Sequence, residues 1–261
     1  MMGFAHALSG VAVWLTAAPA LAAVSSTPMT LSQYAAGAIV CGGAAVAPDL
    51  DHPKASATNS LPPVSNMLGS VVATVGFGHR KATHSLVGIF AATVVGLLLI
   101  NFLDPVGPAI LAFFLTAFAI KALGQFKRTY SGVSTPKVFK PGKVATPLIA
   151  LGVAVFVGSL GGDYTWMVVA FVGGVFVHIV GDAITMSGVP WLWPLSRNFR
   201  LAALRAGGST EKFVIAPMLA ILIGFTAFSL FTSGEVFGNP VPQASGVTTE
   251  TGNNNMKGKI V

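Results

Sequence analysis

Apolar residues gather in seven runs, at about 4–23, 31–47, 84–103, 106–124, 145–161, 165–184 and 213–232. Several approach the roughly 20 residues with which an α-helix crosses a bilayer core. Between the second and third runs the pattern changes. After Pro62-Pro63, residues Val64, Met67, Leu68, Val71, Val72 and Val75 recur at the spacing of one helical face. The opposite face holds Ser65, Asn66, Gly69, Ser70, Ala73 and Thr74, all small or polar and none charged. This pattern predicts an amphipathic helix, set either in the membrane interface or against the bundle. The fold class predicted is all-α: a polytopic membrane helix bundle over residues 1–233, with six or seven transmembrane helices and an interfacial amphipathic helix. From Gly234 onward Pro, Gly, Asn, Thr and Ser show no apolar period, so residues 234–261 are predicted to be a disordered polar tail.

Composition agrees with the pattern. A hydrophobic fraction of 53%, with only 9% charged residues, excludes a soluble globular domain. The single cysteine, Cys41, excludes an intrachain disulfide and reads as a small packing residue. A net charge of +7 would suggest nucleic acid in a soluble protein, but here its placement follows topology. Lys54, Arg80 and Lys81 lie between runs two and three; Lys121, Lys127, Arg128, Lys137, Lys140 and Lys143 follow run four. Arg197, Arg200, Arg205 and Lys212 lie between runs six and seven, and only Lys257 and Lys259 of the tail remain. The alternate loops, 24–30, 104–105 and 162–164, carry no basic residue. By the positive-inside rule the N-terminus is cytoplasmic and the C-terminus is outside. A rival reading of the first run is a secretory signal, since Ala20-Leu21-Ala22 resembles a cleavage site. No lysine or arginine precedes that run, as such a signal would want.

Candidate chemistry gathers at the cytoplasmic ends of these runs. His178 and Asp182 stand four residues apart in run six, on one helical face. Ionisable groups in a membrane segment are costly and usually face protein. His6 opens run one, Asp49, Asp51 and His52 close run two, and His79 and His84 open run three. Four helices thus bring imidazoles and carboxylates to one depth. These ligand types suit zinc and related divalent ions, held as one ion or as two sharing a carboxylate. Arg80 and Lys81 would meet an anionic substrate. Each feature also has a plainer account: topology for the basic residues, an interfacial imidazole for His6, a chain turn for Asp49, a helix-register pair for His178 and Asp182. The basic loop 125–143, with Tyr130 and Phe139, reads first as a positive-inside loop and only second as a lipid or nucleic-acid contact, so direct nucleic-acid binding is not favoured. Trp191, Trp193 and Pro194 read as an interfacial anchor, and Gly188 as a turn.

Four short blocks resemble the YdjM-like family: Pro48-Asp49-Leu50-Asp51-His52-Pro53-Lys54, Gly78-His79-Arg80 with Thr83-His84-Ser85, His178 with Asp182 and Thr185, and Gly188-Val189-Pro190 with Leu192-Trp193-Pro194. His6 with Gly10 also fits the family's N-terminus, which argues against cleavage of the first run. Family members are bacterial inner-membrane proteins described as membrane-bound metal-dependent hydrolases, some as binding LexA, the repressor of the DNA-damage response. The resemblance implies a metal site drawn from His6, Asp49, Asp51, His52, His79, His84, His178 and Asp182. It also implies a distant similarity to zinc-dependent phospholipase C and single-strand nucleases. The chain departs from the pattern in its long tail and at Lys81-Ala82, where glycine often follows the arginine.

The combined expectation is a multi-pass protein of the bacterial inner membrane that hydrolyses a phosphoester, with a lipid as leading substrate. His6, Asp51, His52, His84, His178 and Asp182 are expected as ligands to a divalent metal, zinc first and manganese second. Asp49 and His79 are expected as bases or positioning groups, Arg80 as the group that orients the anion, and Thr185 as a hydrogen-bond partner of Asp182. Membrane lipids are the expected partners, with a cytosolic protein as a further candidate. Two rivals are a non-catalytic regulator that docks that protein on the 53–83 or 125–144 loops, and a metal or proton transporter. The transporter lacks a path, since the outward halves offer only Asp104 and Asp163, both in loops.

Overall fold

The computed structural model describes residues 1–26, 28–129, 144–195, 198–202 and 204–232, with the backbone only at 126–129. The described residues are all-helical: α1 (Gly3–Ser25), α2 (Leu31–Ala44), α3 (Val64–Val75), α4 (Leu86–Phe102), α5 (Val106–Thr129), α6 (Ala145–Leu160), α7 (Thr165–Ala183) and α8 (Ala216–Thr232). A 3-10 turn at Ala47–Asp51 follows α2, and another at Ala82–His84 precedes α4. A π turn at Glu211–Ile215 leads into α8. Each apolar run is one helix, and α3 is the amphipathic segment. The expected tail and the side chains of the basic loop, Lys127, Arg128, Tyr130, Lys137, Phe139, Lys140 and Lys143, lie outside the described residues, as does Arg197.

Among the described residues, five helical stretches are long and apolar enough to cross a membrane: Gly3–Ser25, Leu31–Asp51, Val106–Gln125, Thr165–Ala183 and Glu211–Thr232. α4 and α6 have 17 and 16 residues, about 25 Å of helix against a hydrocarbon core of about 30 Å. Local chemistry stops both. Pro105 disfavours helical backbone at Asp104, and α6 ends on Gly161 at φ 63°. Six or seven spans is therefore an approximate count.

α2 and α7 form the centre. α1 and α5 pack on α2, α4 on α7, α6 on α5 and α8 on α1. Val40, Leu115, Phe118, Met167 and Ile179 fill the space between them. Lipid tails are as apolar as these side chains, so close packing at small residues must hold such helices together. Two glycines show this. A Cβ on Gly10 of α1 would lie 2.9 Å from the Ala45 Cβ, and one on Gly174 of α7 would lie 2.6 Å from the Ala44 Cβ. Gly10 is one turn after His6 and Gly174 one turn before His178. The same contacts that seat α1 and α7 on α2 therefore fix the depth of both histidines.

α3 packs in an unexpected sense. Its small, polar side faces the protein: Ser65 Oγ donates to the Thr58 carbonyl at 2.8 Å, Asn66 Nδ2 donates to the same carbonyl at 3.1 Å, and Gly69 is buried. Of the apolar stripe only Leu68 and Val72 turn inward to the core. Val64, Met67, Val71 and Val75 point outward. Ser65 and Gly69 allow the close approach, and the loop carbonyl they meet requires donors.

Candidate metal centre

His178 and Asp182 are fully buried on α7. His178 Nδ1 donates to the Ala45 carbonyl at 2.8 Å, which leaves its Nε2 as the free lone pair of a neutral imidazole. The turn Phe77-Gly78-His79-Arg80 runs through left-handed backbone, at φ 62°, 99° and 57° for Phe77, Gly78 and Arg80. That geometry aims the Arg80 amide at Asp51 Oδ2, 3.0 Å away. Asp51 also accepts from the Thr83 hydroxyl at 2.5 Å and pairs with His79 Nδ1 at 2.6 Å. Because the Thr83 proton goes to Asp51, its oxygen accepts from His84 Nδ1, at 2.9 Å. Asp51 Oδ2 lies 3.3 Å from the same nitrogen. When neutral, His84, too, is left with Nε2 as its lone pair.

These two nitrogens face each other. His84 Nε2 and His178 Nε2 are 3.1 Å apart, with no other polar group between them. Asp49 Oδ1 lies 3.8 Å from each of them. Asp182 Oδ2 lies 3.8 Å from His84 Nε2 and 3.9 Å from His178 Nε2. Ligands set about 2.0 Å from a zinc ion stand roughly 3.3 Å apart, so the triangle of Asp49, His84 and His178 fits an ion with slight contraction, and Asp182 lies at the same range from both imidazoles. Buried Asp182 Oδ2 makes no aligned hydrogen bond, although Arg80 Nη2 forms an ion pair with it at 2.5 Å. Burial lowers the pKa of the His84 imidazole, but the Asp49 and Asp51 carboxylates beside it outweigh burial and raise it to about 9.

A match to a family of known membrane proteins covers residues 1–130 and 142–237, described as YdjM inner membrane protein. The chain belongs to the YdjM inner membrane protein family. No curated protein and no solved structure matches it. Membership and the long apolar helices together make it a membrane protein.

The structure brings together in this YdjM member seven of the residues singled out by sequence. Among the described residues three groups could hold a metal ion: His6, His178 and Asp182; Asp49, His84 and His178; and Asp51, His79 and His84. His6 Nε2 lies 3.2 Å from Asp182 Oδ1, and its ring stacks on His178 with centroids 4.0 Å apart. Arg80 is drawn in by its ion pair. His52 is in none of the three groups; its Nδ1 accepts the Lys54 amide at 3.2 Å and its ring meets that of His79 edge-on. Thr185 bonds Asp182 through the backbone carbonyl, at 2.8 Å, and not through the carboxylate. Sequence reasoning gave no role to Thr83, to the Ala45 carbonyl or to Glu211. Buried Glu211 accepts the Met2 and Gly207 amides at 2.6 Å each, holding the start of α1 against the turn before α8. An acid two residues before the last apolar run was the available signal.

Proposed function

We propose that this protein is a membrane-bound metal-dependent hydrolase of phosphoesters, with a divalent ion, zinc first, held by Asp49, His84, His178 and Asp182. The observation that carries the reading is the pair of imidazole lone pairs facing at 3.1 Å, flanked by two carboxylates. Two such lone pairs repel unless a proton or a metal ion lies between them. In this reading Asp49 moves from base to ligand. Asp51, with its oxygens already engaged by Thr83, Arg80 and His79, holds His84 in place. His6 and Arg80 fix the two oxygens of Asp182 in the same way.

When bound, such an ion lowers the pKa of its water to about 7 and polarises a phosphoryl oxygen. The chain's own residues supply the rest. His79 is the most open of the cluster, at 38% exposure, and Asp51 anchors one of its nitrogens, leaving the other to take up or release a proton. Arg80, 22% exposed, stands at the rim, where its guanidinium can meet a phosphate. Lipid phosphoesters are the substrate class favoured, because the site lies at one end of the spanning helices. The positive-inside distribution makes that end cytoplasmic, with the N-terminus in and the C-terminus out.

Metal content of the detergent-purified protein tests the reading. Wild type should carry stoichiometric zinc or manganese, and His178→Ala/Asp182→Ala should carry none. A folded wild type that takes up no metal after reconstitution sinks the hydrolase reading and leaves a hydrogen-bonded packing network, with a cytosolic protein partner as the next question.

A further inference from the structure

α3 presents an apolar edge that nothing among the described residues covers. Val64, Met67, Val71 and Val75 are 53%, 69%, 58% and 71% exposed, and Phe77, just past the helix, is 63% exposed. The opposite side of α3 is tied down by Ser65 and Asn66, so the edge cannot roll inward without breaking those bonds.

The edge is continuous with the surface of the spanning helices. The Phe77 ring lies 5.0 Å from that of Trp193. Two residues earlier, the Trp191 carbonyl accepts the Leu86 amide at 3.0 Å, at the first turn of α4. From there Leu86, Val87, Phe90 and Val94 carry exposed apolar surface down α4. Charge agrees with this placement. Residues 53–83 hold Lys54, Arg80 and Lys81 and no acidic residue, and both lysines are exposed. An uncharged helix with a bare apolar edge and flanking lysines suits an interface of anionic headgroups over acyl chains. A protein partner would bring no reason for the edge to merge with lipid-facing α4.

We propose that α3, Phe77 and Trp193 form one apolar lip seated in the bilayer, the lipid leaflet being its occupant, and that the lip holds the Gly78–Arg80 segment of the site at headgroup depth. The lip and the site are joined by chain: Val75 is followed after Gly76 by Phe77, Gly78, His79 and Arg80. This membrane contact stands whether or not the protein hydrolyses anything.

Nitroxide labels on Met67→Cys and Val71→Cys test it, with Lys54→Cys as the aqueous reference. The full-length variants are placed in vesicles of phosphatidylcholine and phosphatidylglycerol, and collision with oxygen is compared with collision with a water-soluble nickel chelate. Cys41 is buried, and a Cys41→Ala background controls for stray label. Met67 and Val71 are exposed, so the labels leave the fold's contacts alone. Hydrogen exchange of wild-type residues 64–77, in vesicles against detergent, gives a second measurement without substitution. The expected result is a several-fold preference for oxygen at positions 67 and 71, the reverse at 54, and slower exchange in vesicles. A nickel preference at 67 and 71 would put the edge in water and overturn the proposal. Shielding from both reagents would mean a protein cover, such as a second copy, and would overturn it equally. Neither readout involves metal or turnover.

Discussion

Asp51→Asn separates a metal ligand from a group that holds one. Asp51 accepts from the Thr83 hydroxyl and the Arg80 amide, pairs with His79, and lies 3.3 Å from His84 Nδ1. If it orients His84 without touching the ion, asparagine removes the charge and one acceptor but leaves all four ligands. Loss of such an orienting group costs about 10–100-fold in metal affinity, or roughly 1.4–2.8 kcal/mol. Asp49→Asn and Asp182→Asn remove a ligand outright and should abolish stoichiometric binding at any workable zinc concentration. The assay is zinc competition against a chelator of known affinity, with bound metal counted by elemental analysis at saturation. Asp51→Asn should reach wild-type stoichiometry at higher free zinc. Thermal stability should also fall, since hydrogen bonds to a charged acceptor contribute roughly 1.5–3 kcal/mol each and asparagine retains only some of them. If a folded Asp51→Asn protein binds no zinc while Asp49→Asn binds a full equivalent, the two carboxylates have been assigned the wrong way round.

Three further outcomes follow from the same geometry. Gly174→Ala pushes a methyl into the Cys41 carbonyl and Ala44; overpacking of this kind costs about 1–3 kcal/mol and should appear as a lowered melting temperature together with weaker zinc binding, whereas Gly173→Ala, where a Cβ meets nothing within 4 Å, should change neither. Zinc affinity should rise by about one decade per pH unit up to about pH 9 and then level off, because the metal must displace the proton that His84 holds with a pKa raised to about 9; affinity independent of pH between 7 and 9 would contradict this. Without metal the sign reverses. A raised pKa stabilises the fold fully below about 6.5, the ordinary value, and that contribution is lost as pH climbs through about 9, so the metal-free protein should melt at lower temperature at pH 9 than at pH 6, with the difference removed in His84→Gln.

Much of the site could be read from the sequence because of two forces that act locally. Lysine and arginine placement marks one end of every apolar run after the first, alternation orients the first, and a histidine or aspartate in such a run must face protein. Together they place His6, His84 and His178 at one depth, and the rings do meet, at 4.0 Å between His6 and His178 and 4.9 Å between His84 and His178. What sequence could not supply is direction within a turn. Asp49 and Asp51 differ by two positions in one 3-10 turn, and which of them faces the two Nε2 atoms is decided by groups far along the chain. Thr83 and the left-handed Arg80 amide engage Asp51 from about thirty residues away. His52 is the reverse case, with its Nδ1 accepting the Lys54 amide two residues on. In α3 the period located the apolar stripe correctly, but periodicity is blind to what each face meets. In water that stripe would have been buried. Here the polar side is the one the protein needs, because the Thr58 carbonyl requires donors, and the apolar side has a leaflet available to cover it. The rule that apolar faces turn inward holds only where water is the alternative, so in a chain like this an outward apolar edge marks the position of the bilayer.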